Sequence, residues 1–137
     1  ARGERKLALA KDLGAHEVVD YGKPDWPSLV EPVDVAFSSV GGAVARQSFE
    51  LLRDGVGRMA VFGFAGGEPL DVTAADVFRK GVALLGFGIP ITPDNVRRAF
   101  TLGLRPVLGE ALPLADAARA HELLEGRATT GKVVLVP

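Results

Sequence analysis

No cysteine occurs in the 137 residues, so neither a disulfide nor a thiolate zinc site can be built within them. The two histidines, His16 and His121, are too few for a histidine-built metal centre. No apolar run approaches the roughly 20 residues that cross a bilayer, and no stretch reads as a signal peptide. A formal net charge of -1 gives no electrostatic reason to expect nucleic acid or an anionic membrane as a partner. The cationic residues are spread out, apart from Arg2, Arg5 and Lys6 near the start. There is no internal repeat and no low-complexity tract. What is left is a globular chain, 47% hydrophobic and 24% charged, with length for one sizeable core and a cytoplasmic setting as the expectation. The chain has no initiator methionine, and its first residues already read as the entrance to a helix, so a piece of a longer protein is expected.

The stretch from Val33 to Gly67 organises the rest. VDVAF (Val33 to Phe37) is a short apolar run, as expected of a strand buried on both faces. Gly41 and Gly42 follow it, then a helical pattern over Val44, Phe49, Leu51 and Leu52, ended by Gly55 and Gly57. RMAVFGF (Arg58 to Phe64) is a second buried strand. Two parallel strands joined by a helix make a βαβ unit, and ligands of open α/β sheets sit beyond the carboxyl ends of such strands. Those ends are SSVGG and GFAGG, with small residues where a ligand would approach the backbone.

Before this unit, Glu4 to Leu13 reads as a helix closed by Gly14. His16 to Tyr21 (HEVVDY) reads as a short strand, and three prolines between Gly22 and Pro32 allow at most one helical turn near Trp26. After it, Thr73 caps a helix over Ala74 to Lys80. Val82 to Ile89 is a strand, and Thr92 and Pro93 open a helix that stops at Gly103. Pro106 to Leu114 has strand character, Ala115 to Leu124 is an alanine-rich helix, and Val133 to Val136 is a final strand. Strands alternating with helices predict the α/β class with a parallel sheet. The GxGxxG turn that holds a dinucleotide's pyrophosphate is absent, and Gly63-Phe64-Ala65-Gly66-Gly67 has the wrong spacing to replace it.

The blocks KLALAKDLGAHEVVDY, VDVAFSSVGG, LLRDGVGRMAVFGFAGG and RPVLGEALPLADAARAHELLEGRATTGKVVLVP, in this order, resemble the C-terminal half of the medium-chain dehydrogenase/reductase superfamily. The style is that of its NADPH-dependent quinone oxidoreductase, zeta-crystallin-like branch. The resemblance covers essentially the whole chain, and the closing block is its most specific part. It implies residues 1-137 as the C-terminal part of a dinucleotide-binding domain. The fold expected is a three-layer Rossmann-type parallel sheet, incomplete because the first strands and the glycine-rich turn lie upstream. With strands one and two missing, HEVVDY is expected to dock beside VDVAF, to swap onto another chain, or to be poorly ordered.

The resemblance also implies site residues. Arg2 and Lys6 stand where an NADP enzyme presents basic side chains to the 2′-phosphate; the alternative is a solvated, basic helix start. Tyr21 is placed beside the adenine end, or simply ends a strand. Ser39, Val40 and Gly41, with Gly63, Phe64 and Ala65, are placed under the nicotinamide ribose and ring, although small residues also suit any tight turn. Phe87, Gly88 and Ile89 fall near the nicotinamide and at a subunit interface, where the Val82 to Ile89 edge strand pairs with its twin. Arg127, which with Lys132 flanks a polar turn, reaches the cofactor phosphates or faces solvent. His121 and His16 read as structural, and Trp26 as a plug for the proline-rich crossover.

Hydride transfer is carried out by the cofactor, so no catalytic side chain is assigned and no metal site is expected. The reading is the cofactor-binding portion of an NADPH-dependent oxidoreductase, in the parent protein a homodimer that transfers hydride to quinones or activated C=C bonds. Two alternatives stay open. One is a non-catalytic dimerisation or nucleotide-binding module. The other is the coenzyme domain of a zinc-type alcohol dehydrogenase, whose zinc ligands would lie outside these residues.

Overall fold

The computed structural model describes residues 1–88, 91–127 and 129–137. The chain divides into two compact units, Ala1–Ile89 and Pro90–Pro137.

The first unit contains α1 (Glu4–Asp12), one 3-10 turn (Trp26–Leu29), β1 (Val35–Ser38), α2 (Gly42–Glu50), β2 (Arg58–Val61), α3 (Ala74–Lys80) and β3 (Ala83–Gly86). The three strands form one parallel sheet in the order β1-β2-β3. The register sets Ala36 beside Met59 and Met59 beside Leu84, so these side chains share one face. Phe37, Ala60 and Leu85 share the other face, where Phe37 and Leu85 are exposed.

The core lies between the first face and α2. Ala45, Phe49 and Leu52 recur at helical spacing and are buried with Met59, so the stripe on α2 closes over the middle of β2. Val33, Ala36, Val61, Leu70, Val72, Val77 and Val82 pack around this cluster. Trp26 is buried, and its indole N–H donates to Gln47 Oε1 at 2.9 Å. The proline-rich crossover is thus plugged against α2, as its composition suggests.

His16 to Tyr21 is not a strand. It does not dock beside β1, whose sheet neighbour among the described residues is β2. Its backbone is tied instead to Ala1. The Ala1 amino group donates to the Val19 carbonyl at 3.0 Å, and the Tyr21 N–H donates to the Ala1 carbonyl at 3.0 Å. This is the bond pattern of a parallel strand pair one residue long. Val18, Val19 and Tyr21 state a preference for strand, and a ladder still needs a neighbouring backbone to complete it.

Loop and helix are joined by one cluster of charge. Thr73 caps α3 in a reciprocal box: its side chain accepts from the Asp76 N–H at 3.2 Å, and Asp76 accepts from the Thr73 N–H at 2.9 Å. Arg46 of α2 donates to Asp76 Oδ2 at 2.9 Å and to the Asp71 carbonyl at 3.1 Å, and it pairs with Glu50 at 2.5 Å. Arg79 adds a bond to Asp76 Oδ1 at 2.6 Å. The Arg46 guanidinium, then the Thr73 amide and hydroxyl, hold the Asp76 carboxyl well below the usual carboxylate range.

The second unit contains α4 (Pro93–Thr101), β4 (Leu108–Pro113), a 3-10 turn (Leu114–Asp116), α5 (Ala117–Glu125) and β5 (Lys132–Val136). β4 and β5 pair in parallel as a separate two-stranded sheet, with a register shift between Leu108 and Ala111. The shift falls at Gly109, where a Cβ would meet the Thr130 carbonyl at 2.7 Å. Thr92 caps α4 by accepting from the Asn95 N–H at 3.2 Å, with Pro93 at the first helical position. Every strand pair among the described residues is therefore parallel, within the expected α/β class, but the strands fall into two sheets.

The core and its charge cluster can each be tested by stability. Phe49 is 1% exposed, so Phe49→Ala is expected to cost about 3–5 kcal/mol in urea-induced unfolding. Asp76 titrates lower in the folded chain than in the unfolded one, so its contribution is complete above the ordinary aspartate range and is lost progressively as pH falls from that range toward the lowered folded value. The wild-type melting temperature should therefore drop more than that of Asp76→Asn on acidification below about pH 5; equal drops would show that the pair does not couple to folding.

Candidate functional site

The sheet positions three turns at one end. β1, β2 and β3 run the same way, so their carboxyl ends lie side by side, and the β1–β2 pairing continues past the strands. The Phe62 N–H donates to the Ser38 carbonyl at 2.9 Å, Ala65 to Ser39 at 2.8 Å and Gly66 to Val40 at 2.7 Å. The Phe87 N–H donates to the Val61 carbonyl at 2.8 Å. Ser39, Gly41, Gly63, Phe64, Ala65, Phe87 and Gly88 are thus brought to one edge of the first unit. Ile89 lies outside the described residues.

Two glycines make this fit possible. A Cβ on Gly66 would stand 2.7 Å from the Val40 carbonyl, and one on Gly41 would stand 2.0 Å from the Glu68 carbonyl. Gly41 also has φ +80°, a conformation that side chains disfavour. The approach lets the Gly42 N–H, at the start of α2, donate to the carbonyls of Glu68 at 3.0 Å and Pro69 at 3.1 Å. The Phe64 ring lies 3.4 Å from the Gly41 Cβ position and is half-exposed.

The amides of Phe62, Ala65 and Gly66 are spent on joining the turns. What the edge offers a ligand is a fixed floor of small residues with aromatic rings at its margin, and these amides are not available as donors to a pyrophosphate. At Gly88 a Cβ would meet nothing within 4 Å among the described residues.

The other group of candidates lies at the start of the chain. Arg2 crosses Gly22: its Cγ and Nε are both 3.3 Å from where a Cβ at 22 would stand. Tyr21 is tied to Ala1 through its N–H. Lys6 is in the first turns of α1, its N–H donating to the Gly3 carbonyl at 3.1 Å. Asp20, absent from the sequence-based candidates, accepts from the Gly22 N–H at 2.8 Å and the Gly3 N–H at 3.3 Å. The Gly22 bond first, with the Gly3 bond, lowers its carboxyl below the ordinary value.

Arg127 belongs to the second unit, in the turn after α5, with φ +52°. His121 is exposed on α5 and His16 is exposed after α1; the His16 carbonyl accepts from Lys11 Nζ. Among the described residues, no group of three acidic or histidine side chains is placed to hold a metal ion, and no helix is long and apolar enough to cross a membrane.

Residues 13–135 match the family model described as zinc-binding dehydrogenase. The chain is 28% identical to a 2-haloacrylate reductase of a Burkholderia species, over 98% of this chain and 46% of the relative. It is 34% identical, with a TM-score of 0.83, to the solved structure of an NAD-dependent alcohol dehydrogenase, covering 100% of this chain and 42% of that one. It is also 31% identical, with a TM-score of 0.76, to the quinone oxidoreductase from Thermus thermophilus, whose structure was solved with and without NADPH; the match covers 97% of this chain and 46% of that one. The chain thus spans less than half the length of these three relatives. By the family match over residues 13–135 and by its fold, the chain belongs to the zinc-binding dehydrogenase family of the medium-chain dehydrogenase/reductase superfamily.

Proposed function

We propose that this chain is the C-terminal, cofactor-binding part of an NADPH-dependent oxidoreductase that transfers hydride to quinones or activated C=C bonds. The observation that carries the reading is the continuous bonding of the β1 and β2 turns, which makes one floor at the carboxyl ends of three parallel strands. The quinone oxidoreductase solved with NADPH and the 2-haloacrylate reductase support the cofactor and the small-molecule acceptor.

The residues present fit such a cofactor. Arg2, Lys6 and Tyr21 would meet the adenine ribose and its 2′-phosphate. Ser39, Gly41, Gly63, Phe64, Ala65, Phe87 and Gly88 would lie under the nicotinamide ribose and ring. When bound, the cofactor supplies the hydride. The protein would fix where it lies, and the half-exposed rings of Phe64 and Phe87 would shield it from water on one side. β3 is the outer strand of its sheet and is exposed throughout, which supports pairing of the Val82 to Ile89 segment with a second copy in a homodimer.

A second reading is favoured by the 34% identity to an NAD-dependent alcohol dehydrogenase: the coenzyme domain of an alcohol dehydrogenase that uses NAD. Direct titration separates the two. NADPH is expected to bind more tightly than NADH, and Arg2→Ala or Lys6→Ala should each weaken NADPH about tenfold with little effect on NADH. Equal binding of both by the wild type would remove the phosphate role of Arg2 and Lys6.

Gly41→Ala tests the floor itself. Its Cβ cannot stand beside the Glu68 carbonyl, so the Gly42 amide should lose its acceptors and exchange its hydrogen faster. Affinity for NADPH and NADH should fall together, by about tenfold or more, in contrast to the phosphate-end variants.

A further inference from the structure

We propose that Asp20 positions Arg2 for the 2′-phosphate and thereby sets the preference for NADPH over NADH. The inference rests on the cofactor reading above and adds to it a residue that does not itself touch the phosphate.

The geometry is that of a clip. One oxygen of the Asp20 carboxylate accepts from the Gly22 N–H at 2.8 Å, the other from the Gly3 N–H at 3.3 Å. Gly3 directly follows Arg2, and Gly22 directly follows Tyr21. A single side chain therefore fixes the two main-chain segments that carry the cationic and the aromatic candidates. The bonds between Ala1 and the Val19 carbonyl and Tyr21 amide close the same junction from its other end. Within it, a Cβ at Gly22 would stand 3.0 Å from Asp20 Oδ1 and 3.3 Å from the Arg2 Cγ and Nε, so the carboxylate and the Arg2 stem flank the same glycine.

The engagement of both oxygens matters chemically. In NAD enzymes of this fold class, a carboxylate presents its oxygens to the ribose hydroxyls. Asp20 turns its oxygens to two backbone amides instead. These bonds keep it ionised and offset part of a charge that would otherwise repel a phosphate. An acidic residue in this neighbourhood is thus compatible with NADPH, through what it does to Arg2.

The test is direct titration of the intact protein with NADPH and NADH, for the wild type, D20A, D20N, R2A and the D20A/R2A double variant. The expected result for D20A is a loss of about tenfold in NADPH affinity, with NADH changed by less than about twofold. D20N retains an acceptor oxygen and should fall between D20A and the wild type. The double variant should bind NADPH no more weakly than R2A, because Asp20 acts through Arg2.

Three outcomes overturn the proposal. If D20A weakens NADPH and NADH equally, Asp20 is a structural link only. If R2A weakens NADPH while D20A and D20N keep or raise its affinity, the carboxylate acts as a repelling charge and not as a clip. If R2A leaves the wild-type preference unchanged, the phosphate reading of Arg2 falls, and the role of Asp20 falls with it.

Discussion

The Gly42 amide donates to the carbonyls of Glu68 and Pro69, and it can do so only because Gly41 has no side chain. That contact closes the ring of bonds on which the first unit depends. β1 leads through Ser39 and Val40 to the start of α2, and β2 leads through Ala65 and Gly66 to Glu68. Each turn bonds the other along the way. At its N-terminus, α2 has no side-chain cap, and the carbonyls of the neighbouring turn satisfy an orphan amide there. The same carbonyls lie at the positive end of the helix dipole, where negative partial charge is favoured. The cost is that this helix start has one fewer amide to give an anion, unlike the glycine-rich starts that bind pyrophosphate.

What the turns give up in donors they gain in fixed position. On the proposed reading this matters, because a hydride donor must be held within about 0.5 Å of a productive geometry. A backbone ladder that runs from strand into turn has few ways to deform. It is braced from behind by Phe49, Leu52 and Met59, each no more than 2% exposed, and from the side by Arg46, which reaches both Asp76 and the Asp71 carbonyl. Arg46 therefore links the helix after the first turn to the loop after the second. Its fork geometry serves two acceptors at once, which a lysine could not match.

The parts of this arrangement that were legible in the sequence are those with a local signature. Short apolar runs bounded by glycine marked β1, β2 and β3, and Thr73 and Thr92 marked the starts of α3 and α4. Trp26 among prolines was legible as a plug because a large apolar ring in a polar crossover has few other uses. The parts that were not legible depend on partners distant in sequence. His16 to Tyr21 has strand composition, but its strand-like backbone bonds, from Val19 and Tyr21, go to Ala1 and not to β1. Arg46 and Asp76 are 30 positions apart, and only the Thr73-to-Asp76 half of their cluster has a capping-box spacing. Glu68 acts through its carbonyl, which no side-chain pattern betrays. Asp20 two places before Gly22 is a turn signal, yet its second bond, to Gly3, emerges only in three dimensions.

The two groups of candidate residues solve different problems, and their construction differs accordingly. At the sheet edge the main chain is the structural element: glycines allow close approach, and amides are used up in holding shape. At the start of the chain, the proposed contacts are made by side chains, and one carboxylate pins the backbone on either side of them. Recognition of a phosphate by a guanidinium depends on where the long, flexible side chain is held, because its planar fork must meet the oxygens. Presentation of a reacting ring depends on the rigidity of the main chain beneath it. On the proposed reading, a rigid floor and a clipped arginine would divide the work between orientation and selection.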